Sequence, residues 1–122
     1  MTHSPGFQAL CEDARRQITE ISPEETLTAL QAGTTLVIDV REDREAAQGI
    51  IQGATHLGRG VLERDIEVAV PDKSRPIILY CGGGYRSTLA ALNLQKMGYT
   101  QVKSMAGGWR AWNACNYPIS AG

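Results

Sequence analysis

One stretch of this sequence combines residue types and spacing that could do chemistry: Cys81, Gly82, Gly83, Gly84, Tyr85, Arg86 and Ser87. A free thiol has a pKa of about 8.5, so only a few per cent is thiolate near neutral pH. Backbone N–H groups turned inward, a helix N-terminus and a nearby guanidinium each favour the anion. Glycines permit such a turn because they take φ > 0 without steric cost. Cys81 is therefore the candidate nucleophile, and the same donors would hold an anionic substrate or a charged sulfur product. No histidine lies in the segment, so proximity in sequence supports no Cys–His pair. A plainer use of these residues stands beside this one. A cysteine after a strand often serves as a small buried hydrophobe, and a glycine-rich turn can serve tight packing alone.

Such a loop needs a strand before it and a helix after it. Residues 76–80 (PIILY) read as a buried strand, and residues 87–97 carry helical apolar spacing with Gly98 as the stop. Residues 35–40 (TLVIDV) form a second, nearly continuous apolar run, the pattern of a strand covered on both faces. Around these the chain predicts a helix over 4–16 with Ser4 as N-cap, a short strand over 18–21, and a helix capped by Ser22 with Glu25 closing a capping box. A short helix over 43–48, a weak strand over 54–57, a short helix within 59–68, a strand over 102–105 and a helix over 109–115 follow. The alternation implies a parallel sheet with helices on both faces. The loop at residues 81–87 then lies at the carboxyl end of a strand, where open α/β sheets bind their ligands.

Composition narrows the field. A chain of 122 residues suits one domain, read as residues 1–122 with an N-terminal helical extension over 1–17 and a core over 18–119. Twelve basic and 13 acidic residues give a net charge of −1, which argues against a nucleic-acid partner. No apolar run approaches the length of a membrane span, and residues 1–10 have neither the basic start nor the apolar core of a secretory signal, so a cytoplasmic protein is expected. The three cysteines, Cys11, Cys81 and Cys115, are too few and too odd in number for a disulfide framework. None is spaced as a metal-binding pair, and neither metal nor cofactor is expected. Cys11 or Cys115 would act as a resolving thiol only if the fold brought it to Cys81.

At these residues the chain resembles the single-domain rhodaneses, a family of thiosulfate sulfurtransferase-like proteins. Residues 81–87 (CGGGYRS) are similar to the family's active-site loop, a cysteine followed by four residues and then Arg-Ser. Residues 36–42 (LVIDVRE), Gly53-Ala54 with residues 57–63 (LGRGVLE), and Gly107-Gly108-Trp109 with Trp112 and Tyr117-Pro118-Ile119 agree in order and spacing. Ile50 departs from a common histidine, and Gln52 and Gly58 from common prolines. The resemblance implies a three-layer α/β/α domain with a central, mainly parallel sheet of about five strands. It also implies transfer of a sulfane sulfur through a Cys81 persulfide, from a small-molecule or protein donor to a thiol or cyanide acceptor. Gly82, Gly83, Gly84, Tyr85, Arg86 and Ser87 would form the binding loop, with Ser87 as helix N-cap or first-turn residue. Arg86 would bind the donor's anionic end, stabilise the thiolate, or hold the loop through backbone carbonyls. Arg59, at the end of the weak strand, is a candidate to reach the pocket mouth. Asp39 and Arg41 are expected to be structural support, Trp109 and Trp112 core or pocket wall, and His3 and His56 structural or solvated. Two alternatives remain open: a Cys-dependent phosphatase or arsenate reductase, whose loops carry five residues between Cys and Arg, and a non-catalytic binding module.

Overall fold

The computed structural model of the protein describes residues 3–121. In chain order the elements are α1 (Pro5–Arg15), β1 (Thr19–Ile21), α2 (Pro23–Ala32), β2 (Leu36–Asp39), α3 (Asp43–Ala46), β3 (Ile50–Ile51) and β4 (Thr55–His56). They continue with α4 (Leu62–Ala69), β5 (Ile77–Tyr80), α5 (Tyr85–Lys96), β6 (Val102–Met105), α6 (Gly108–Ala114) and β7 (Ile119–Ser120). Five strands form one sheet in the order β1-β6-β5-β2-β4, and every pairing in it is parallel. No helix among the described residues is long and apolar enough to cross a membrane.

The two central strands explain their own sequences. β2 and β5 pair in register, with Val37 opposite Ile78 and Ile38 opposite Leu79. Alternate side chains enter two separate cores. Ile38, Ile77, Leu79 and Val102 pack with Leu62 and Ile66 of α4 and Ala90, Ala91 and Leu94 of α5. Val37, Ile78, Tyr80 and Met105 pack with Trp112 of α6 and with Leu27, Ala29 and Leu30 of α2. Strands covered on both faces read as near-continuous apolar runs, hence those at 35–40 and 76–80, which only Asp39 and the flanking Thr35 interrupt. α1 lies outside this arrangement and packs on α5, burying Cys11 and Ala14.

Helix boundaries follow local chemistry. At α2 the Ser22 hydroxyl accepts the Glu25 N–H at 3.0 Å, and the Glu25 carboxylate accepts the Ser22 N–H at 3.1 Å. Each side chain satisfies an amide that the helix leaves free. One element was not anticipated: β3 and β7 form a small antiparallel pair, Ile50 opposite Ser120 and Ile51 opposite Ile119. Each strand has two residues, too few to carry a periodic signal, and the partners lie far apart in the chain.

Behind the carboxyl ends of β2 and β5 lies a buried polar network. The Asp39 side chain is fully buried and receives Arg41 Nε at 3.1 Å and Nη2 at 2.7 Å. The Tyr80 hydroxyl donates to Asp39 at 2.9 Å and accepts the Ile51 N–H at 3.0 Å. Arg41 also donates to the Gly49 carbonyl at 2.6 Å, and its own carbonyl lies 2.8 Å from His56 Nε2. Burial opposes the Arg41 charge, but its hydrogen bonds with Asp39 and the Asp39 charge outweigh that and raise its pKa. Burial likewise pushes the Tyr80 phenol up. Removing one partner of a buried ion pair strands the other charge. Asp39→Ala is therefore expected to lower stability by about 3–5 kcal/mol in urea titration, whereas an exposed substitution such as Arg64→Gln stays within about 0.5 kcal/mol.

Candidate active site

Cys81 follows β5 directly and sits at the base of the loop with only 1% of its surface exposed. The loop's shape is set by α6. The Trp109 N–H donates to the Cys81 carbonyl at 2.7 Å, and the Arg110 N–H donates to the Gly82 carbonyl at 3.1 Å. This approach is possible because residue 108 is glycine. A Cβ there would stand 2.2 Å from the Cys81 carbonyl oxygen, and its φ of +54° is one that L side chains rarely adopt.

With two carbonyls turned toward α6, N–H groups face the sulfur. The Gly84 N–H donates to Cys81 Sγ at 3.1 Å and the Ser87 N–H at 3.4 Å. The Ser87 hydroxyl lies 3.5 Å from Sγ and 2.8 Å from the buried Ser104 hydroxyl. α5 starts at Tyr85, two residues before the expected boundary, with Gly84 as its N-cap in the left-handed region at φ +97°. Ser87 thus lies in the first turn and does not cap, because its hydroxyl is held between Sγ and Ser104. Of the three loop glycines only Gly84 has positive φ. Gly82 and Gly83 have ordinary φ values: a Cβ at Gly82 would meet only the end of the Arg86 side chain, Nη2 at 3.2 Å, and one at Gly83 would make an ordinary contact with Arg110 Nη2 at 3.4 Å.

Arg86 does not hold the loop through carbonyls. It pairs with Glu45 of α3 through two bonds, at 2.8 and 3.2 Å. The Arg86 hydrogen bonds, joined by the Glu42 N–H, hold the Glu45 carboxyl down at about 2 against the opposing effect of burial. Above Cys81 opens a cavity of about 310 Å³, lined by Cys81 and Gly83, by Arg86 and Arg110, and by His3, Phe7 and Tyr85. These three rings cluster, with His3 and Tyr85 centroids 4.3 Å apart and Phe7 and Tyr85 5.9 Å apart. A separate cleft of about 370 Å³ lies between α2 and the sheet, lined by Ile21, Ile78 and Lys103 among others, and Cys81 does not line it.

The fold brings together Cys81, Gly82, Gly83, Gly84, Tyr85, Arg86 and Ser87. Arg59 is placed elsewhere: it pairs with Glu63 of α4, which also accepts from Asn93 at 2.7 Å, and it does not line the cavity. Asp39 and Arg41 lie behind the site, where the Arg41 guanidinium stacks 4.3 Å from the centre of the Trp109 ring. Cys11 is fully buried with its sulfur 3.8 Å from the Tyr85 carbonyl, and burial raises its pKa. Cys115 is free and exposed. Sequence reasoning missed Arg110, Glu45, Ser104, Phe7 and the proximity of His3. For Arg110 a signal existed, since it comes just after the Gly107-Gly108-Trp109 motif. Among the described residues no group of three His, Cys, Asp or Glu side chains is placed to hold a metal ion.

The rhodanese-like domain family matches residues 22–115. The chain belongs to that family. It is 38% identical over 98 residues to the thiosulfate sulfurtransferase GlpE of Pseudomonas entomophila, covering 80% of this chain and 86% of that protein. A sulfurtransferase of Allochromatium vinosum is 35% identical over 86 residues, covering 70% of this chain and 78% of that one. Among solved structures, a Rhodopseudomonas palustris protein of unknown function, described as a possible tyrosine phosphatase, superposes with a TM-score of 0.86 at 29% identity over 98% of both chains. The polysulfide-sulfur transferase homodimer of Wolinella succinogenes gives 0.82 at 25% identity, covering 94% of this chain and 87% of that one. The family match spans residues 22–115, and α1, which brings Phe7 to the cavity wall, precedes it.

Two outcomes follow from this geometry. Gly108→Ala forces a contact no backbone tolerates, and a loss of about 2–4 kcal/mol in thermal or urea unfolding is expected, together with slower alkylation of Cys81. Glu45→Gln should show a pH-dependent defect. A carboxyl held at about 2 stabilises the fold fully above its unfolded value of about 4.3 and ceases to do so as pH falls toward 2. The pair is about one-third exposed, so the cost near neutrality stays below about 1 kcal/mol. The urea midpoints of the variant and the parent should therefore converge on acidification.

Proposed function

We propose that this rhodanese-family protein is a sulfurtransferase that moves a sulfane sulfur from a donor such as thiosulfate to a thiol or cyanide, through a persulfide on Cys81. The observation that carries the reading is the convergence of the Gly84 and Ser87 N–H groups on Cys81 Sγ at the floor of a cavity. Donors so placed stabilise negative charge on sulfur, first on a thiolate and then on a terminal persulfide. In the first half-reaction the Cys81 thiolate attacks the outer sulfur of thiosulfate. A bond forms between Sγ and that sulfur, the S–S bond of the donor breaks, and its electron pair leaves with sulfite. In the second, cyanide or a thiolate takes the outer sulfur and returns the Cys81 thiolate. A covalent intermediate of this kind predicts ping-pong kinetics.

The relatives named as sulfurtransferases support this reading. Loop length supports it as well. Four residues separate Cys81 from Arg86, where related phosphatases and arsenate reductases carry five, and a smaller ring suits a single sulfur better than a tetrahedral phosphoryl group. The near-complete cover over Cys81 favours small donors or a slender protein persulfide. Asp39 and Arg41 act as support behind the loop in this scheme, and Arg59 stands outside it. Three free cysteines suit a reducing compartment such as the cytoplasm.

The decisive measurement is the intact mass of the reduced protein after thiosulfate. Gain of one sulfur atom, reversed by cyanide and absent in Cys81→Ser, is expected. No adduct at Cys81 would overturn the reading. Cys81-dependent hydrolysis of an aryl phosphate would favour a phosphatase, and inertness in both assays with a complex recovered by pull-down would favour a binding module.

A further inference from the structure

We propose that Arg110 is the residue that captures the anionic end of the donor. The donor's identity rests on the sulfurtransferase reading; the anion site does not.

Three observations converge. Arg110 lines the cavity that Cys81 floors. Its guanidinium lies over the loop, with Nη2 3.4 Å and Cζ 3.7 Å from where a Cβ of residue 83 would stand. Its backbone N–H donates to the Gly82 carbonyl, so the residue is anchored to the loop it overhangs. Charge then separates the two arginines of the cavity. Arg86 is bound through two nitrogens to Glu45, and the pair is neutral as a unit. Among the described residues Arg110 makes no ion pair and no side-chain hydrogen bond. The cavity therefore holds one guanidinium whose charge is not already matched.

The chemistry of transfer needs a cation at that place. Thiosulfate carries negative charge on its oxygens into the cavity and sulfite carries it out, so a cation beside Cys81 holds those oxygens alike before and during transfer. A planar guanidinium can hold two such oxygens at once. With a net charge of −1 the protein has no overall field to draw anions in, so attraction must be local. The donor class that fits is a small oxyanion-bearing sulfane compound, thiosulfate or an organic thiosulfonate, in preference to a neutral one.

The experiment compares Arg110→Gln and Arg110→Lys with the parent. Two readouts are used: steady-state kinetics with thiosulfate and cyanide, and the rates at which Cys81 is alkylated by anionic iodoacetate and neutral iodoacetamide. Alkylation is resolved by peptide mass spectrometry, because exposed Cys115 reacts too. Arg110→Gln should raise the KM for thiosulfate about tenfold while kcat stays within about twofold. The iodoacetate-to-iodoacetamide ratio should fall by about fivefold, and Arg110→Lys should recover part of both. Arg64→Gln removes the same charge from exposed α4 and should change neither. An unchanged KM and an unchanged ratio in Arg110→Gln would overturn the proposal. So would a fall in kcat with both unchanged, which would assign Arg110 to loop support. A fall in the ratio in a protein that never turns over thiosulfate would uphold the anion site and overturn the sulfurtransferase reading.

Discussion

The active loop depends on one close approach between two stretches of backbone. The start of α6 lies so near the Cys81 carbonyl that residue 108 has no room for a Cβ. The contact decides which way the loop faces. Once the Cys81 and Gly82 carbonyls are satisfied by the Trp109 and Arg110 amides, the peptide groups are turned, and the Gly84 and Ser87 amides fall toward Sγ. Buried backbone groups must find partners, so one set of hydrogen bonds settles the direction of the other. Gly107 and Gly84 extend the same constraint, since a Cβ at Gly84 would meet the Gly107 amide at 3.2 Å. The glycines of the loop and of the turn before α6 are thus two halves of one packing solution.

That solution is braced from behind by charge. Asp39 and Tyr80 are paired residues on adjacent strands, and Arg41 ties them to the Gly49 carbonyl and stacks on Trp109. Trp109 is the residue whose amide holds the Cys81 carbonyl. A path of contacts therefore runs from the carboxyl ends of β2 and β5 through Arg41 and the indole to the loop at Cys81. Such a network is expensive to desolvate and tolerable only when complete. No buried side-chain nitrogen or oxygen among the described residues lacks a partner. The Arg86–Glu45 pair performs a similar service on the solvent side, tying α5 to α3 while neutralising the loop's own arginine.

What could be read in the sequence was what local rules govern. The runs at 35–40 and 76–80 are apolar because both faces of β2 and β5 are covered. Ser22, Pro23 and Glu25 mark the start of α2 because a cap is satisfied within one turn. The loop was legible because a thiol, three glycines and Arg-Ser form one contiguous motif. The rest is long-range. Glu45 reaches Arg86 across 41 residues, and nothing near Glu45 announces it. The β3–β7 pair joins two dipeptides from distant parts of the chain. Arg59 is a candidate in the sequence because it follows a strand end, but an acidic neighbour one helical turn on claims it. Of the two places open to Ser87, N-cap or first turn, the fold takes the second: Ser104 and Sγ hold its hydroxyl and the capping position falls to Gly84.

The cavity's walls explain how a nearly covered thiol can still be selective. Phe7 of α1 and His3 just before it pack against Tyr85, the residue that begins α5, so the N-terminal segment closes the site on its apolar side. The remaining wall is cationic. A neutral reagent gains little by entering a narrow opening over a thiol that is 1% exposed. An anion gains the guanidinium of Arg110 on the way in and the loop amides at the end. Selectivity of this kind requires no large field and no deep pocket. It requires that one positive charge near the sulfur be left unmatched, and pairing Arg86 with Glu45 while Arg110 has no ion pair among the described residues meets that requirement.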